Sequence, residues 1–345
     1  MHGAGPIVTQ WSSPFIGNDA AVRLLGPAEL VGSGAHAYLL TGPEHVGKRT
    51  LALRFAAFAT CLVPDGDRSC GSCRSCAASA RGAHPDIHVI ERRDDRRTIV
   101  VEQAQEVARI SAIKPYQSDR KVVVIVDAEA LEARAANLLL KTIEEPSDDT
   151  RIVLTSGDGD LVLPTIRSRC REVTLGKVGA RVIIRALEAR GVPPDHASVL
   201  ARLSNGRPGW AINAAADPSV LEVRGVHLDL LSSVLKTRRY ARLPLADRLE
   251  DPRNLARTRE AMASALATWT GWWRDVLVVR AGCEELASCV DRMDELRDAA
   301  TKLEVAGIAG AIRRTGLATS HLDDNVNPRL ALEGLFLDLP ELGAA

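Results

Sequence analysis

The sequence predicts an α/β domain built on a parallel sheet and, after it, an all-α region. A short apolar run at Ala37–Thr41 leads into a glycine-bearing loop and then a helical pattern. The run at 121–127 reads K-V-V-V-I-V-D, which is typical of a strand buried on both faces. Past Gly176 the strand signals fade and the pattern becomes helical. With 345 residues, at about 150 residues per domain, two or three domains are expected.

Strands and helices are predicted to alternate along the first half of the chain, as in a doubly wound parallel sheet. After Ala37–Thr41, the predicted elements are strands at 86–91, 121–127, 151–156 and 172–175 and helices at 99–110 and 129–145. Helical patterns continue at 178–190, at 196–203 and from Trp210. The predicted domains are an α/β domain at 1–176, a small helical domain at 177–222 and a C-terminal helical domain at 223–345.

Composition excludes several classes of protein. Lys and Arg number 44, equal to Asp and Glu, so the net charge is zero, and a strongly basic, sequence-independent nucleic-acid binder is not expected. Aromatic residues are 3%, too few to favour a base-stacking platform. Apolar runs are too short to span a bilayer, and residues 1–13 lack the features of a secretory signal. A cytoplasmic protein is therefore predicted.

The loop after Ala37–Thr41 matches a phosphate-binding loop except at one position. Gly42, Gly47 and Lys48 have the spacing of the G-x4-G-K-[ST] pattern, in which backbone N–H groups and the lysine bind phosphates. The next residue should carry a hydroxyl that ligates Mg²⁺. Arg49 occupies that position, and Thr50 follows one residue late.

A second departure lies at the end of the 121–127 strand. Asp127 could hold Mg²⁺ through water, but Ala128 follows where related ATPases often carry a water-activating Glu, and Glu129 is one residue late. The favoured interpretation is a loop that packs without hydrolysing ATP; the alternative is an active ATPase. Passive binding of ATP or ADP stays open because Lys48 and the glycines are present, whereas Mg²⁺ binding is not expected.

Four cysteines follow the predicted phosphate-loop helix. Cys70, Cys73 and Cys76 form C-x2-C-x2-C, and Cys61 precedes them by nine positions. Four thiolates fit a structural zinc site, because they fill the tetrahedral shell and leave no open position for catalysis. The alternative is a set of free cysteines. His84 is a conceivable ligand, but four thiolates make it unnecessary.

Two arginines are candidates for contact with nucleotide. Arg169, in Ser-Arg-Cys, follows the 151–156 strand, and its charge could stabilise a neighbour's γ-phosphate in trans. The alternative is a surface arginine paired with a carboxylate, and spacing alone favours that alternative. Arg207, in a Gly-Arg-Pro-Gly turn, is either a nucleotide sensor or a solvated turn residue. Thr155 and Ser156 either sense a γ-phosphate or cap their strand.

Two apolar faces are predicted in the C-terminal region. Trp269, Trp272 and Trp273 share one helix face, which favours a core or a subunit interface. A second stripe in the last helix, if exposed, would suit oligomerisation; it consists of Leu330, Leu332, Leu335 and Phe336.

These motifs together resemble the delta-prime family of bacterial DNA polymerase III clamp-loader subunits. The resemblance rests on the motifs already described and on N-L-L-L-K-T-I-E-E-P at 137–146 and N-P-R-L-A-L-E at 327–333. It covers nearly the whole chain and is most specific in the first 175 residues. The related motor subunits should carry G-K-T or G-K-S and an Asp-Glu pair, from which this sequence departs at Arg49 and Ala128.

The resemblance implies an AAA+ α/β domain with a zinc module at about 61–81, a helical lid and a helical collar. It implies a stator that does not hydrolyse ATP within a clamp loader that places a sliding clamp on primed DNA, and hence a part of the polymerase holoenzyme. Motor and delta subunits would be its partners, the clamp a transient one, and DNA contact would be independent of base sequence. Arg169 would complete a motor subunit's ATP site, and the four cysteines would bind zinc. A catalytically active, motor-like ATPase is the alternative.

Overall fold

The computed structural model describes residues 15–26, 34–66, 69–93, 96, 98–251, 253–324 and 326–343. Among these residues one parallel sheet forms from β1 (Ala37–Thr41), β2 (Ile87–Ile90), β3 (Lys121–Ile125), β4 (Thr150–Ser156) and β5 (Arg171–Thr174). The strand order is β2-β3-β4-β1-β5. As predicted, β3 is an interior strand, paired with β2 on one side and β4 on the other.

Fourteen α-helices occur in the described residues. They are α1 (Asp19–Leu24), α2 (Lys48–Ala59), α3 (Arg74–Ala80), α4 (Val101–Ser111), α5 (Ala133–Glu144), α6 (Pro164–Arg167), α7 (Ala180–Glu188), α8 (Pro194–Leu203), α9 (Pro208–Ala216), α10 (Ser219–Lys236), α11 (Leu255–Arg280), α12 (Met293–Lys302), α13 (Val305–Asp323) and α14 (Pro328–Asp338).

Alternate residues of the central strands face opposite sides of the sheet, as a pleated strand requires. On one side Tyr38 and Leu40 of β1 pack with Phe55 of α2. On the other side Leu39 packs with residues of α4 and α5, among them Ile143. β1, β3 and β4 are buried along their whole lengths, which explains why they read as continuous apolar runs rather than as alternating patterns.

The parallel arrangement brings the carboxyl ends of β1, β3 and β4 to the same edge of the sheet. Thr41 at the end of β1 pairs with Ser156 at the end of β4, and Asp127 lies just beyond β3. Ligands of open α/β sheets bind outside this edge. The phosphate loop at 42–47 and the Asp127 turn therefore lie at the same edge of the sheet, as the sequence predicts.

One predicted element is revised. The helix expected at 129–145 begins only at Ala133, and a 3-10 turn at Ala128–Ala130 precedes it. Asp127 has a φ of 55°, a left-handed conformation. The chain therefore turns at Asp127 after β3, and the α-helix begins only beyond this turn. The other predicted strands and helices lie within a few residues of their expected bounds.

The C-terminal helices form their own apolar core. Trp269, Trp272 and Trp273 of α11 are all buried there, and the indole N–H of Trp269 donates to the carbonyl of His227 at 2.8 Å. The core interpretation of this face is thus confirmed. The stripe of α14 faces the same core: Leu332, Leu335 and Phe336 are buried, and Leu330 is 62% exposed. The exposed stripe that would suit oligomerisation is therefore not present on this face.

The chain divides into two compact units. The first comprises the described residues up to Ala186 together with Gly206–Trp210, and the second comprises Leu187–Asn205 and the described residues from Ala211 onward. The first contains the sheet and every residue proposed for a site. The division into domains at 1–176, 177–222 and 223–345 stays a prediction.

Candidate functional site

The four cysteines come from the end of α2 and from the turn into α3. Cys61 follows α2, with its N–H bonded to the carbonyl of Phe58 at 3.1 Å. Cys73 is the N-cap of α3, and Cys76 lies in its first turn. Gly71, with a φ of 73°, makes the turn that lets Cys70 fold back toward the others, a conformation that glycine adopts without strain.

The four sulfur atoms form one group. All lie within 4.8 Å of one another, with Cys70 Sγ 3.8 Å from Cys76 Sγ and Cys76 Sγ 3.6 Å from Cys61 Sγ. Zinc–sulfur bonds of about 2.3 Å in a tetrahedron place the sulfurs about 3.8 Å apart. The four cysteines therefore have the spacing of a four-thiolate zinc site.

Backbone N–H groups surround these sulfurs and favour their charged form. The N–H groups of Cys70, Cys73 and Cys76 donate to the sulfurs of Cys61, Cys70 and Cys73, each at 3.4 Å. Bonds from the backbone N–H groups of Ser72 and Cys73 lower the pKa of the Cys70 thiol to about 6. Burial has the opposite effect on Cys76 and raises its pKa. Because thiolates are the metal-binding form, the N–H bonds prepare the group for a cation.

His84 supports the cysteine module without joining it. Its Nδ1 accepts the N–H of Asp86 at 3.0 Å, so its proton lies on Nε2, which is 2.7 Å from Ser75 Oγ. Ser75, between two of the cysteines, donates in turn to the carbonyl of Thr60 at 2.6 Å. Among the described residues the metal-ligating group consists of the four cysteines alone, as expected for a bystander histidine.

The phosphate loop at 42–47 has the backbone that its sequence predicts. Gly42 and Gly47 have φ values of 141° and 107°, which L-residues rarely adopt. A Cβ at Gly42 would clash with the carbonyl oxygen of Leu175, and one at Gly47 would lie 2.8 Å from the ring of Phe15. Both glycines are thus required by conformation and by close packing.

Lys48 is engaged by the loop itself. Its ammonium donates to the carbonyl oxygens of Gly42 at 2.6 Å and Pro43 at 2.9 Å. Burial lowers its pKa, while the nearby carboxylates of Glu129 and Asp127 act to raise it. The Lys48 ammonium, which would bind a phosphate, is therefore already bonded to carbonyl oxygens of the chain.

Arg49 points to a carboxylate beyond β2. Its Nη2 lies 3.3 Å from Glu91 Oε2, with both side chains about half exposed. A guanidinium has no lone pair to offer Mg²⁺, and Thr50 beside it is half-buried in the first turn of α2. The position that binds the metal in a phosphate loop is thus occupied by an arginine in an ion pair.

The acidic residues after β3 also have partners within the chain. Asp127 Oδ2 is 3.1 Å from Arg92 Nη2, and the Asp127 N–H donates to the buried Thr155 Oγ1 at 3.2 Å. Glu129 Oε1 accepts the N–H of Gly157 at 2.9 Å. Thr155 therefore bonds to the backbone of the Asp127 turn, a structural contact that the sequence left open.

The Gly-Arg-Pro-Gly turn packs on the phosphate loop. The N–H of Gly209 donates to the carbonyl of His45 at 2.8 Å. Burial lowers the pKa of Arg207, and the nearby Glu44 acts to raise it. Arg207 is half-buried, and the choice between a nucleotide sensor and a turn residue stays a prediction.

Arg169 follows α6 and is paired with a residue that the sequence did not single out. Its Nη2 is 2.6 Å from Glu144 Oε1 at the end of α5, and its Nη1 donates to the carbonyl of Thr165 at 2.9 Å. The side chain of Arg169 is 32% exposed. The only sequence signal for this pairing was the acidic end of the 129–145 helix.

Comparison with known proteins finds similarity to subunits of DNA polymerase III. A family model described as DNA polymerase III, delta subunit, matches residues 18–179. The delta-prime subunit of DNA polymerase III from Pseudomonas aeruginosa is 38% identical over 62% of this chain and 65% of its own length. That of Bacillus subtilis is 28% identical over 89% of this chain and 91% of its own length. These matches support a delta-prime clamp-loader assignment for the chain.

The structural comparison agrees on the fold. A DNA polymerase III gamma subunit-related protein from Thermotoga maritima superposes with a TM-score of 0.51 at 17% identity, over 92% of this chain and 96% of that chain. The predicted fold class, a parallel α/β sheet domain followed by helices, is thereby confirmed. The Pseudomonas alignment spans slightly less than two thirds of that relative. None of the helices in the described residues has the length and apolar character that crossing a membrane requires.

Proposed function

We propose that the chain is a non-hydrolysing stator subunit of the DNA polymerase III clamp loader, helping to load a sliding clamp on primed DNA. One observation carries this proposal: Arg49, in the position of the Mg²⁺-binding hydroxyl, is paired with Glu91 at 3.3 Å. Without that hydroxyl the metal that neutralises the transferring phosphoryl group has lost a ligand.

The contacts of Lys48 and the residue at 128 support the same proposal. Lys48 binds two loop carbonyls, and Ala128 offers no carboxylate to activate water. Any ATP or ADP in this loop is therefore bound passively and without Mg²⁺, through Gly42, Gly47, Lys48, Thr50, Asp127 and Arg207. The purified chain alone should show background ATPase, and turnover near about one per second would instead favour the motor-like ATPase.

Arg169 acts in trans in this proposal. A guanidinium supplied by one subunit to the γ-phosphate of its neighbour stabilises the charge of the transition state. In a loader reconstituted from purified subunits, Arg169→Ala should lower turnover at the one ATP site that it completes by about 10³-fold, the lower end of the range for such arginines. The total DNA-stimulated ATPase should fall by the share of that site, while assembly is retained. Arg134→Ala, at an exposed position on α5, is the matched control. An unchanged rate for Arg169→Ala rejects the trans role.

The four-cysteine group would hold a structural zinc ion in the proposed subunit. Cys61, Cys70, Cys73 and Cys76 fill a tetrahedral shell, so the metal would join the end of α2 to α3 without taking part in a reaction. Elemental analysis by inductively coupled plasma should find about one zinc per chain, as four ligands to one ion require. A folded, metal-free chain would contradict the proposal.

The proposed partners are the motor and delta subunits of the loader and, transiently, the clamp. Contact with primed DNA would be made in the complex through backbone phosphates or duplex shape, independent of base sequence. The proposed location is the cytoplasm, with no membrane partner. Co-purification of the chain with motor and delta subunits tests this assignment, and failure to assemble with them would reject it.

A further inference from the structure

The guanidinium of Arg169 is anchored by oxygen atoms from two helices. Glu144 Oε1 at the end of α5 lies 2.6 Å from its Nη2. Its Nη1 donates to the Thr165 carbonyl of α6 at 2.9 Å and lies 3.5 Å from Ser168 Oγ. A guanidinium carries more N–H donors than these acceptors use, so the anchored group keeps donors for a phosphate.

The position of Glu144 is unfavourable for its own helix. Glu144 is the last residue of α5, and Glu145 is the C-cap. The carboxyl end of a helix carries partial negative charge, which disfavours acidic residues there. Helix stability therefore gives no reason for a carboxylate at this place, whereas the charge of Arg169 offsets its cost.

The environment of the pair limits how strong it can be. The side chains of Arg169 and Glu144 are 32% and 48% exposed, so water and salt screen their attraction. Such a pair does not prevent the arginine from binding a phosphate, because a phosphate is a stronger acceptor for a planar guanidinium. It does select one direction for a long side chain that would otherwise sample many rotamers.

We propose that Glu144 is a positioning residue for Arg169, holding the guanidinium in the direction from which it reaches a neighbour's γ-phosphate. The inference rests on the proposed trans role of Arg169. An arginine already ordered by its own chain loses less conformational freedom when it meets the phosphate. Glu144 thus acts through Arg169 and touches neither nucleotide nor DNA.

The test uses the loader reconstituted from purified subunits with clamp and primed DNA. Glu144→Gln keeps the size of the side chain and removes its charge. It should lower kcat for ATP by about twofold to fivefold, the value of an exposed ion pair, without changing KM. Glu144→Asp, which keeps the charge, should recover part of the rate. Glu145→Gln removes the neighbouring charge, which makes no ion pair in the described part of the chain, and should leave kcat unchanged.

A double variant distinguishes positioning from an independent effect. Arg169→Ala combined with Glu144→Gln should be no slower than Arg169→Ala alone, because Glu144 has no role without the arginine. Additive losses, an unchanged kcat in Glu144→Gln, or an increased one would overturn the positioning role. If Arg169→Ala lowers the rate and Glu144→Gln does not, the positioning role alone fails. If Arg169→Ala itself has no effect, the proposed trans role fails with it.

Discussion

The cysteine cluster and the phosphate loop lie at opposite ends of the same helix, α2. At the end of α2 four sulfurs converge on one centre, within 4.8 Å of one another. At its start, Lys48 is bonded to the loop's own carbonyls and Arg49 to Glu91. One end has the geometry of a metal site, whereas the charged groups at the other end are paired with groups of the chain itself.

The difference shows that the backbone of a phosphate-loop motif has structural requirements that are separate from its chemistry. Gly42 and Gly47 are needed by their backbone conformations and by close contacts with Leu175 and Phe15. These requirements hold whether or not a nucleotide binds. The Mg²⁺ ligand, by contrast, serves only the reaction, and that position carries Arg49.

Loss of one zinc ligand is the largest effect expected. Cys73→Ser removes one thiolate and the sulfur that accepts the N–H of Cys76. Because the metal binds only the folded arrangement, its loss removes folding free energy. We expect loss of bound zinc and a decrease of about 3 kcal/mol or more in the free energy of unfolding. Metal analysis and denaturant unfolding measure both.

Cys283→Ser is the control for this variant. Cys283 is a half-buried cysteine outside the cluster, so its replacement should change neither zinc content nor stability appreciably. If Cys73→Ser retained zinc and full stability, the four cysteines would not be the metal site at the end of α2. The two ends of α2 would then no longer differ in binding a ligand.

Lys48→Met gives a smaller effect that tests the other end of α2. The variant keeps the aliphatic stem and removes the ammonium bound to Gly42 and Pro43. Since these carbonyls are near water, we expect a stability loss of about 1 kcal/mol, measured by urea unfolding. Lys114→Met, at an exposed position outside the helices, should leave stability unchanged.

Nucleotide binding by the same variant sharpens the comparison. For a loop whose lysine is partnered internally, ATP affinity measured by calorimetry should be weak in the parent chain. Lys48→Met should lower this affinity only slightly, because the ammonium must give up its loop carbonyls to bind a phosphate. Tight, Mg²⁺-dependent binding that disappears in Lys48→Met would show that both ends of α2 are working ligand sites.

The parts of the fold that were predictable are those dictated by local patterns. The sequence alone shows the apolar runs at β1, β3 and β4, because a strand buried on both faces is apolar along its length. It also shows the cysteine cluster, because tight turns between metal ligands fix a short spacing. The start of α5 was missed, since the left-handed Asp127 that delays it has no such signature.

Partners distant in sequence were not predictable. Arg49 and Glu91 are 42 residues apart, and Arg169 meets Glu144 only because α5 and α6 pack together. Whether the apolar stripe of α14 faces solvent was open in the sequence for the same reason, because its burial depends on packing against α11 and α13. Pairings between elements require the tertiary structure.

The smallest effect concerns His84, which supports the cysteine end of α2. Burial lowers its pKa below the ordinary 6.5, so the folded protein keeps the ring neutral while the unfolded chain protonates it as the pH falls. Below about pH 6.5 the unfolded state therefore binds more protons, and His84 makes the protein less stable with decreasing pH, by at most about 1.4 kcal/mol per unit.

His84→Asn cannot take up this proton. Its stability should decrease less between about pH 7.5 and about pH 5.5 than that of the parent, by about 1 kcal/mol. The buried His227 is common to both proteins and cancels in the comparison. Equal pH dependence of denaturant unfolding in the two proteins would mean that folding does not lower the pKa of His84.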